Sequence, residues 1–218
     1  MGAVEAGAQA LHVHPRNRQG AQSLTADDQA AALTAIRVGC PGVPVGVTTA
    51  AAIESDPGRR AYLVANWGEL PPAGRPDFAS VNFSETGAVD LCRLLARIGI
   101  GYEPGLATVA DAELLVESGL AEGAVRLLVE TPDEDAAAAV RSAEAIDAIL
   151  DAGAPGARRL YHGFGPATWA VIRYGLGLGR DVRIGLEDTG ELEDGQTAEG
   201  NAALVAAVGK LAAETATV

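Results

Sequence analysis

The chain has 218 residues, enough for a single domain with a large buried core. Hydrophobic residues make up 48% and aromatic residues only 4%, so we expect a core of Ala, Val, Leu and Ile, as in layered α/β folds. The net charge of −13 argues against a nucleic-acid-binding protein, because such proteins bind phosphates with Lys and Arg.

Secretion and membrane insertion are not indicated by the sequence. No basic segment followed by an apolar stretch marks a signal peptide, and no apolar run is long enough to span a bilayer. Cys40 and Cys92 follow neither metal-ligand nor disulfide spacing, so we expect them to be reduced and buried. These features predict a cytoplasmic protein.

Short apolar runs alternate with Ala-rich amphipathic stretches along the chain, after a first segment that resembles the end of a helix. The runs, predicted as strands, cover residues 10–14, 43–48, 78–83, 100–103, 125–130, 158–162 and 182–187. The predicted helices cover residues 29–38, 58–66, 87–98, 108–118, 132–152, 168–176 and 200–215. A long loop is expected at residues 67–76, and residues 15–24 are the better candidate for a lid.

This alternation predicts a parallel sheet covered by helices, in one domain over residues 1–218. We favour a (β/α)₈ TIM barrel whose first strand is missing from the chain, over an open doubly wound sheet. The reason is that polar residues end most of the predicted strands, and in a barrel those ends meet at one mouth. The residues are His14, Thr48, Asn82, Glu103, His162 and Glu187.

His12 and His14 are the strongest candidates for metal ligands. Alternate residues of a strand point the same way, so a His-x-His pair directs both imidazoles towards one point. Two imidazoles and a carboxylate such as Glu187 form a catalytic zinc site with one open position. The alternative is that both histidines are surface residues, or core residues bonded to the backbone.

Asp188 follows Glu187 directly, and Arg183 lies four residues before Glu187. On a strand, Arg183 and Glu187 would face the same side, and a nearby Arg would keep Asp188 ionised and oriented as a general base. The alternative is an Arg–Asp ion pair that only ties the strand to its loop.

Further polar residues are candidates for substrate binding. Arg16 could pair with a substrate carboxylate or be a solvated loop residue. Glu103 could bind a polar substrate group or pair with Arg16. Neutral donors that could hold an enolate or carboxylate oxygen are Thr48, Thr49, Ser80 and Asn82.

Gly163 and Gly165 follow the predicted strand at 158–162 and open a helix, where barrels often bind phosphate. A tight turn between strand and helix explains these glycines equally well. His162 is interpreted as a core histidine in preference to a residue of the pocket.

Two patterns together resemble the β-keto acid cleavage enzymes, a group that includes 3-keto-5-aminohexanoate cleavage enzyme. The first is Gly-Ala-x-x-x-His-x-His-x-Arg, and the second is Arg-x-Gly-x-Glu-Asp. The residues are Gly7, Ala8, His12, His14, Arg16, Arg183, Gly185, Glu187 and Asp188, and the resemblance extends over essentially the whole chain.

The resemblance implies a zinc-dependent barrel in which His12, His14 and Glu187 hold Zn²⁺ or another divalent metal. It implies that a β-keto acid and acetyl-CoA give acetoacetate and a new acyl-CoA, with Asp188, held by Arg183, removing the proton between the keto and carboxylate carbons. Thr48 stands where the family commonly has a serine. Pro15 and Thr189 also depart from the family pattern, and the Glu of the first family strand has no counterpart.

Two other functions stay open. An amidohydrolase-like zinc hydrolase also begins with His-x-His on a strand, but it needs further histidines on later strands, and only His162 is left. A truncated relative that binds metal or ligand without turnover is the third reading. A homo-oligomer is expected, because a partner could cover the gap left by the missing strand.

Overall fold

A computed structural model describes residues 1–215. The strands are β1 (Leu11–Val13), β2 (Val45–Thr48), β3 (Phe78–Asn82), β4 (Gly101–Leu106), β5 (Leu127–Thr131), β6 (Arg159–Gly163) and β7 (Asp181–Val182). The helices are α1 (Gly2–Glu5), α2 (Ala26–Gly39), α3 (Pro57–Ala65), α4 (Ala88–Arg97), α5 (Val109–Ser118), α6 (Ala136–Gly153), α7 (Thr168–Gly177) and α8 (Asn201–Thr215). In the described part of the chain, this is the α/β fold of a TIM barrel with seven strands instead of eight.

The chain divides into two compact units. Unit I comprises Gln9–Gly105 and Gly123–Val125, and unit II comprises Met1–Ala8, Leu106–Glu122 and Arg126–Val218. The prediction of one domain over the whole chain stays a prediction.

In unit I, strands β1 to β4 pair in parallel and in chain order. Gly46 of β2 lies opposite Phe78 of β3, and a Cβ atom added to Gly46 would lie 2.1 Å from Cε2 of Phe78. The Phe78 ring is 3% exposed, so it fills the space above Gly46 and closes this part of the core.

Residues 67–76 of unit I are more ordered than the predicted loop. They contain most of a short 3₁₀ turn at Asn66–Glu69 and a second one at Pro72–Gly74. Trp67 anchors the first turn, because its ring is fully buried and its Nε1–H donates to the carbonyl oxygen of Leu24 at 2.9 Å.

In unit II, β5, β6 and β7 pair in parallel and in chain order. Helix α6 packs on α5 and α7, and α8 packs on α1 and α7. Asp147 of α6 accepts hydrogen bonds from Arg159 (2.7 Å), Tyr161 (2.6 Å) and Tyr174 (2.8 Å), so this nearly buried carboxylate has donors from two further elements.

Strand β7 is shorter than the predicted run 182–187 and ends at Val182. A turn follows, in which the N–H groups of Asp188 and Thr189 donate to the carbonyl oxygen of Gly185 at 2.9 and 3.1 Å. Glu187 and Asp188 therefore lie on a turn, and the prediction that the strand extends to Glu187 was wrong. These local hydrogen bonds occupy backbone groups that a strand would need for pairing.

Helix boundaries agree with the predictions to within a few residues. The largest difference is at α6, which begins at Ala136 because the side chain of Asp135 accepts the N–H of Ala138 and caps the helix. Gly119 ends α5 with φ = 70°, as expected for a glycine after a helix.

The two cysteines are free and buried, as predicted. Cys92 is fully inaccessible, and burial raises the pKa of its thiol to about 12. No helix within residues 1–215 has both the length and the apolar character needed to cross a membrane.

Candidate active site

The two histidines of the His-x-His pattern lie at the end of β1 in unit I. Their Nε2 atoms are 3.1 Å apart, and both rings are half-buried. Nδ1 of His14 lies 2.9 Å from Oε1 of Gln22, which can only accept a hydrogen bond, so Nδ1 carries the proton. Nε2 of His14 is then the accepting nitrogen of the ring, and it faces Nε2 of His12. Gln22 was not singled out from the sequence, since a lone Gln in a loop gives no signal.

Residues 15–24, the predicted lid, form a small ordered hairpin in which Arg16 pairs with Gln22 in antiparallel fashion. The side chain of Asn17 accepts the N–H groups of Gln19 and Ala21, both at 3.0 Å. The guanidinium of Arg16 is exposed and donates to the carbonyl oxygen of Gly20 at 2.6 Å. Binding of a substrate carboxylate by Arg16 stays a prediction.

Three of the predicted polar residues lie in register on adjacent strands of unit I. Thr48 is opposite Ser80, and Ser80 is opposite Glu103. His12 shares their face, because its partner Gly46 lies two residues before Thr48. Thr48, Ser80 and Glu103 are 4%, 7% and 1% exposed. The sheet of unit I thus presents an imidazole, two hydroxyls and a carboxylate on one face.

Thr49 and Asn82 are held by partners at the ends of their strands. The hydroxyl of Thr49 donates to the carbonyl oxygen of Ser80 at 2.6 Å, and Nδ2 of Asn82 donates to Oε1 of Glu85 at 3.0 Å. Glu85 also accepts from Arg60 at 2.5 Å and from the N–H of Ala51 at 2.9 Å. Glu85 was missed from the sequence because it follows its strand by three residues.

In unit II, Arg183 contacts both acidic residues of the Glu-Asp pair. Its Nη2 lies 2.8 Å from Oε2 of Glu187 and 3.0 Å from Oδ1 of Asp188. Burial by itself would lower the pKa of Arg183, but the carboxylates of Asp188 and Glu187 outweigh it and raise the pKa above its usual value. The side chain of Asp188 is 1% exposed and that of Glu187 is 44% exposed, so the two neighbours have different environments.

His162, on β6, is fully buried. Its Nε2 lies 3.3 Å from Oε2 of Glu130, and its Nδ1 lies 3.2 Å from Oδ1 of Asp188. The ring of Phe164 packs edge-on against it, with 4.9 Å between the ring centres. Glu130 was missed as a site residue, although it ends a predicted strand like the residues that were chosen.

Gly163 and Gly165 form the turn between β6 and α7. A Cβ atom added to Gly163 would lie 2.9 Å from Val171 and 3.1 Å from the carbonyl oxygen of Ala167. Gly165 has φ = 51°, and its N–H donates to the carbonyl oxygen of Asp188 at 2.8 Å. The turn therefore supports the segment that carries Asp188. Binding of a cofactor phosphate by these glycines stays a prediction.

Comparison with known proteins identifies the class to which these residues belong. The family model of the beta-keto acid cleavage enzymes matches residues 1–217, so the chain belongs to this family. The resemblance inferred from the two sequence patterns is confirmed. No curated protein matches the chain.

Solved structures share the fold at low sequence identity. The complexes of ObcA with oxaloacetate and of ObcA with a C4-CoA adduct and oxalate both have a TM-score of 0.74, with 17% and 18% identity. Each covers 96% of this chain, which spans 60% of the ObcA chain. A 3-hexulose-6-phosphate synthase from Salmonella typhimurium matches with a TM-score of 0.60 and 16% identity over 98% of this chain and 90% of its own.

Proposed function

We propose that this protein is a zinc-dependent β-keto acid cleavage enzyme that combines a β-keto acid with acetyl-CoA to give acetoacetate and a new acyl-CoA. The observation that carries the proposal is the family match over residues 1–217. The ObcA structures are in keeping with it, because ObcA binds oxaloacetate, a β-keto acid, and a CoA adduct.

His12, His14 and Glu187 are proposed to hold the metal ion. The donor types support this proposal, because two imidazoles and one carboxylate are the ligand set of a catalytic zinc site with one open position. The separation of 3.1 Å between the two Nε2 atoms fits this role, because two nitrogens about 2.05 Å from one tetrahedral zinc lie roughly 3.3 Å apart. A bound ion would act as a Lewis acid that stabilises an enolate oxygen.

Asp188 is proposed to start the reaction by accepting a proton from the carbon between the keto and carboxylate groups. The carbanion attacks the carbonyl carbon of acetyl-CoA, and the CoA thiolate leaves. The thiolate then attacks the original keto carbon, the adjacent C–C bond breaks, and the new acyl-CoA forms. The proton returns from Asp188 to the departing carbanion, which gives acetoacetate, so atoms and charges balance.

The hydroxyl and amide groups on the sheet face of unit I are proposed to bind the substrate. Thr48, Ser80 and Asn82 would donate to its oxygen atoms, and Arg16 would pair with a carboxylate. Thr49 and Glu103 complete the proposed set. The hydroxyl of Thr48 already accepts the N–H of Ala50 at 3.2 Å, so its own proton is left for a ligand.

The amidohydrolase alternative loses support from the surroundings of His162. That histidine is the third and last in the chain, and it is fully buried between two carboxylates of unit II. An additional metal-binding histidine would need a lone pair directed towards the ion.

The decisive experiment mixes the purified protein with acetyl-CoA and a panel of β-keto acids, and detects products by mass spectrometry. We expect acetoacetate together with the matching acyl-CoA for at least one acid. If the metal-loaded protein gives no product with any acid of a broad panel, the result would favour the alternative of a relative that binds ligands without turnover.

Metal analysis provides the second test. We expect near-stoichiometric zinc or a similar divalent ion in the purified protein, and its loss in His12→Ala and His14→Ala. Arg173→Gln is a suitable control, because Arg173 is exposed and pairs with the surface residue Glu193. Equal metal content in all four proteins would remove the two histidines from the proposed site.

A further inference from the structure

A buried row of charged side chains runs through unit II. Glu130 and Asp188 contact opposite ring nitrogens of His162, at 3.3 and 3.2 Å, and Arg183, directly after β7, contacts Asp188 at 3.0 Å. His162 is the centre of this row and is fully inaccessible to solvent. The sequence interpretation of a core histidine accounts for its burial and leaves its two carboxylate neighbours unexplained.

The surroundings of His162 favour a protonated ring. Nε2 is hydrogen-bonded to Glu130, whose carboxylate can only accept, so Nε2 carries a proton. Nδ1 lies 3.2 Å from Oδ1 of Asp188 without hydrogen-bond geometry, so a positive charge on the ring is what favours this contact. Glu130, Glu187 and Asp188 bring three negative charges to this region, and Arg183 brings one positive charge. Burial and Arg183 lower the pKa of His162, but its contacts with Asp188 and Glu130 outweigh both and raise it.

The two oxygens of Asp188 are unequal. Oδ1 faces both Nδ1 of His162 and Nη2 of Arg183, whereas Oδ2 is buried and has no hydrogen-bond partner among residues 1–215. The contact from His162 is bent, so the pair is held mainly by charge attraction. Oδ1 already faces two groups with N–H donors, so Oδ2 is the oxygen with room for a further contact.

We infer that His162 is a positioning residue for Asp188: together with Arg183 it holds Oδ1, while Glu130 holds the far side of the imidazole, and Oδ2 becomes the proton acceptor. This inference rests on the proposed role of Asp188 as general base. The reaction would then also depend on His162 and Glu130, which act through Asp188 and do not touch the substrate.

The first test measures the protonation of His162 and needs no turnover. The zinc-loaded protein is labelled with ¹⁵N-histidine, and the His162 signals are assigned by their loss in His162→Gln. At about pH 8, where an ordinary histidine is neutral, we expect a proton on Nδ1 of His162. A ring without that proton overturns the inference.

The second test separates the two sides of the imidazole. The amide nitrogen of Asn lies close to the position of Nδ1, and that of Gln lies close to the position of Nε2. His162→Asn therefore keeps a donor for Asp188, and His162→Gln keeps one for Glu130. We expect kcat within roughly threefold of wild type for His162→Asn and at least about a tenfold loss for His162→Gln, with KM little changed in both.

Equal losses of kcat in the two variants, or a change confined to KM, would assign His162 a purely structural role. Arg173→Gln serves again as a control with unchanged activity, and thermal unfolding confirms that the variants fold. Should both His162 variants fail to fold, Asp188→Asn decides: the Nδ1 signal of His162 must shift, and an unchanged signal contradicts the inference. A wild-type protein without acetoacetate activity would contradict the proposed function. The NMR result would still show whether Nδ1 of His162 carries the proton that its contact with Asp188 requires.

Discussion

At the scale of single residues, the candidate site consists of side chains held in place by neighbours. Oε1 of Gln22 faces Nδ1 of His14, and Arg183 contacts both Glu187 and Asp188. The carbonyl oxygen of Ser80 accepts a hydrogen bond from the hydroxyl of Thr49. Such partners reduce the number of orientations that each functional group can adopt, which favours catalysis. The sequence indicated the functional groups, but it did not indicate Gln22, Glu85 or Glu130.

The role of Asp188 is tested by Asp188→Asn. We expect the variant to keep its metal, because the proposed ligands are His12, His14 and Glu187, and to lose activity by roughly 10²- to 10⁴-fold, because an amide is not a general base. Metal analysis and the acetyl-CoA assay measure the two effects. Unchanged turnover would remove Asp188 from its proposed role.

The close contact above Gly46 is also a property of one residue. A Cβ atom there would lie 2.1 Å from the buried Phe78 ring, so we expect Gly46→Ala to lower the free energy of unfolding by about 1–3 kcal/mol. Gly209→Ala is the control, because the residue is inside α8 and, within residues 1–215, no atom beyond its chain neighbours and its own helix backbone lies within 4 Å of the added Cβ. Chemical denaturation measures both, and equal effects would contradict the steric argument.

At the scale of secondary-structure elements, the sequence predicted every strand and most helix boundaries because periodicity and capping are local properties. The exception is the last predicted strand. The run 182–187 is apolar enough for a strand, but pairing ends at Val182, and Leu186 N–H donates to the side chain of Asn201, which is distant in sequence. Arg183 nevertheless contacts Glu187, so the two residues are neighbours as predicted, although a turn and not a strand brings them together.

Helix α5 offers a test of local capping. Thr108 accepts the N–H of Asp111, and Asp111 accepts the N–H of Thr108, which forms a capping box. We expect Thr108→Ala to destabilise the protein by about 1 kcal/mol and Thr108→Ser to have little effect, because Ser keeps the acceptor oxygen. Thermal unfolding distinguishes the two, and a similar loss in both would show that the methyl group of Thr108 matters instead.

At the scale of the whole molecule, the family match assigns nearly all of the chain to the beta-keto acid cleavage enzymes. The fold agrees with ObcA, although this chain spans 60% of the ObcA chain. Four features stay predictions: the metal, acetyl-CoA as co-substrate, the homo-oligomer and the cytoplasmic location.

Removal of the metal should affect the entire molecule. An ion that binds only the folded chain stabilises it by about 2.7 kcal/mol at a free concentration of 100 Kd, so a chelator should lower the Tm by several degrees. His12→Ala should have a low Tm that no longer responds to the chelator. A Tm that is insensitive to the chelator in the wild-type protein would contradict a structural contribution of the ion.

Spacing along the chain was enough to predict the alternation of strands and helices, the family and the residues that carry its two patterns. The side chains that surround those residues became known from the folded structure. Glu130 and His162 are 32 residues apart, and Asp188 lies a further 26 residues along the chain, yet His162 contacts both carboxylates. Parallel pairing of β5 and β6 sets Glu130 opposite His162, and the turn after β7 brings Asp188 to the same ring. No local pattern records which distant residue will lie opposite.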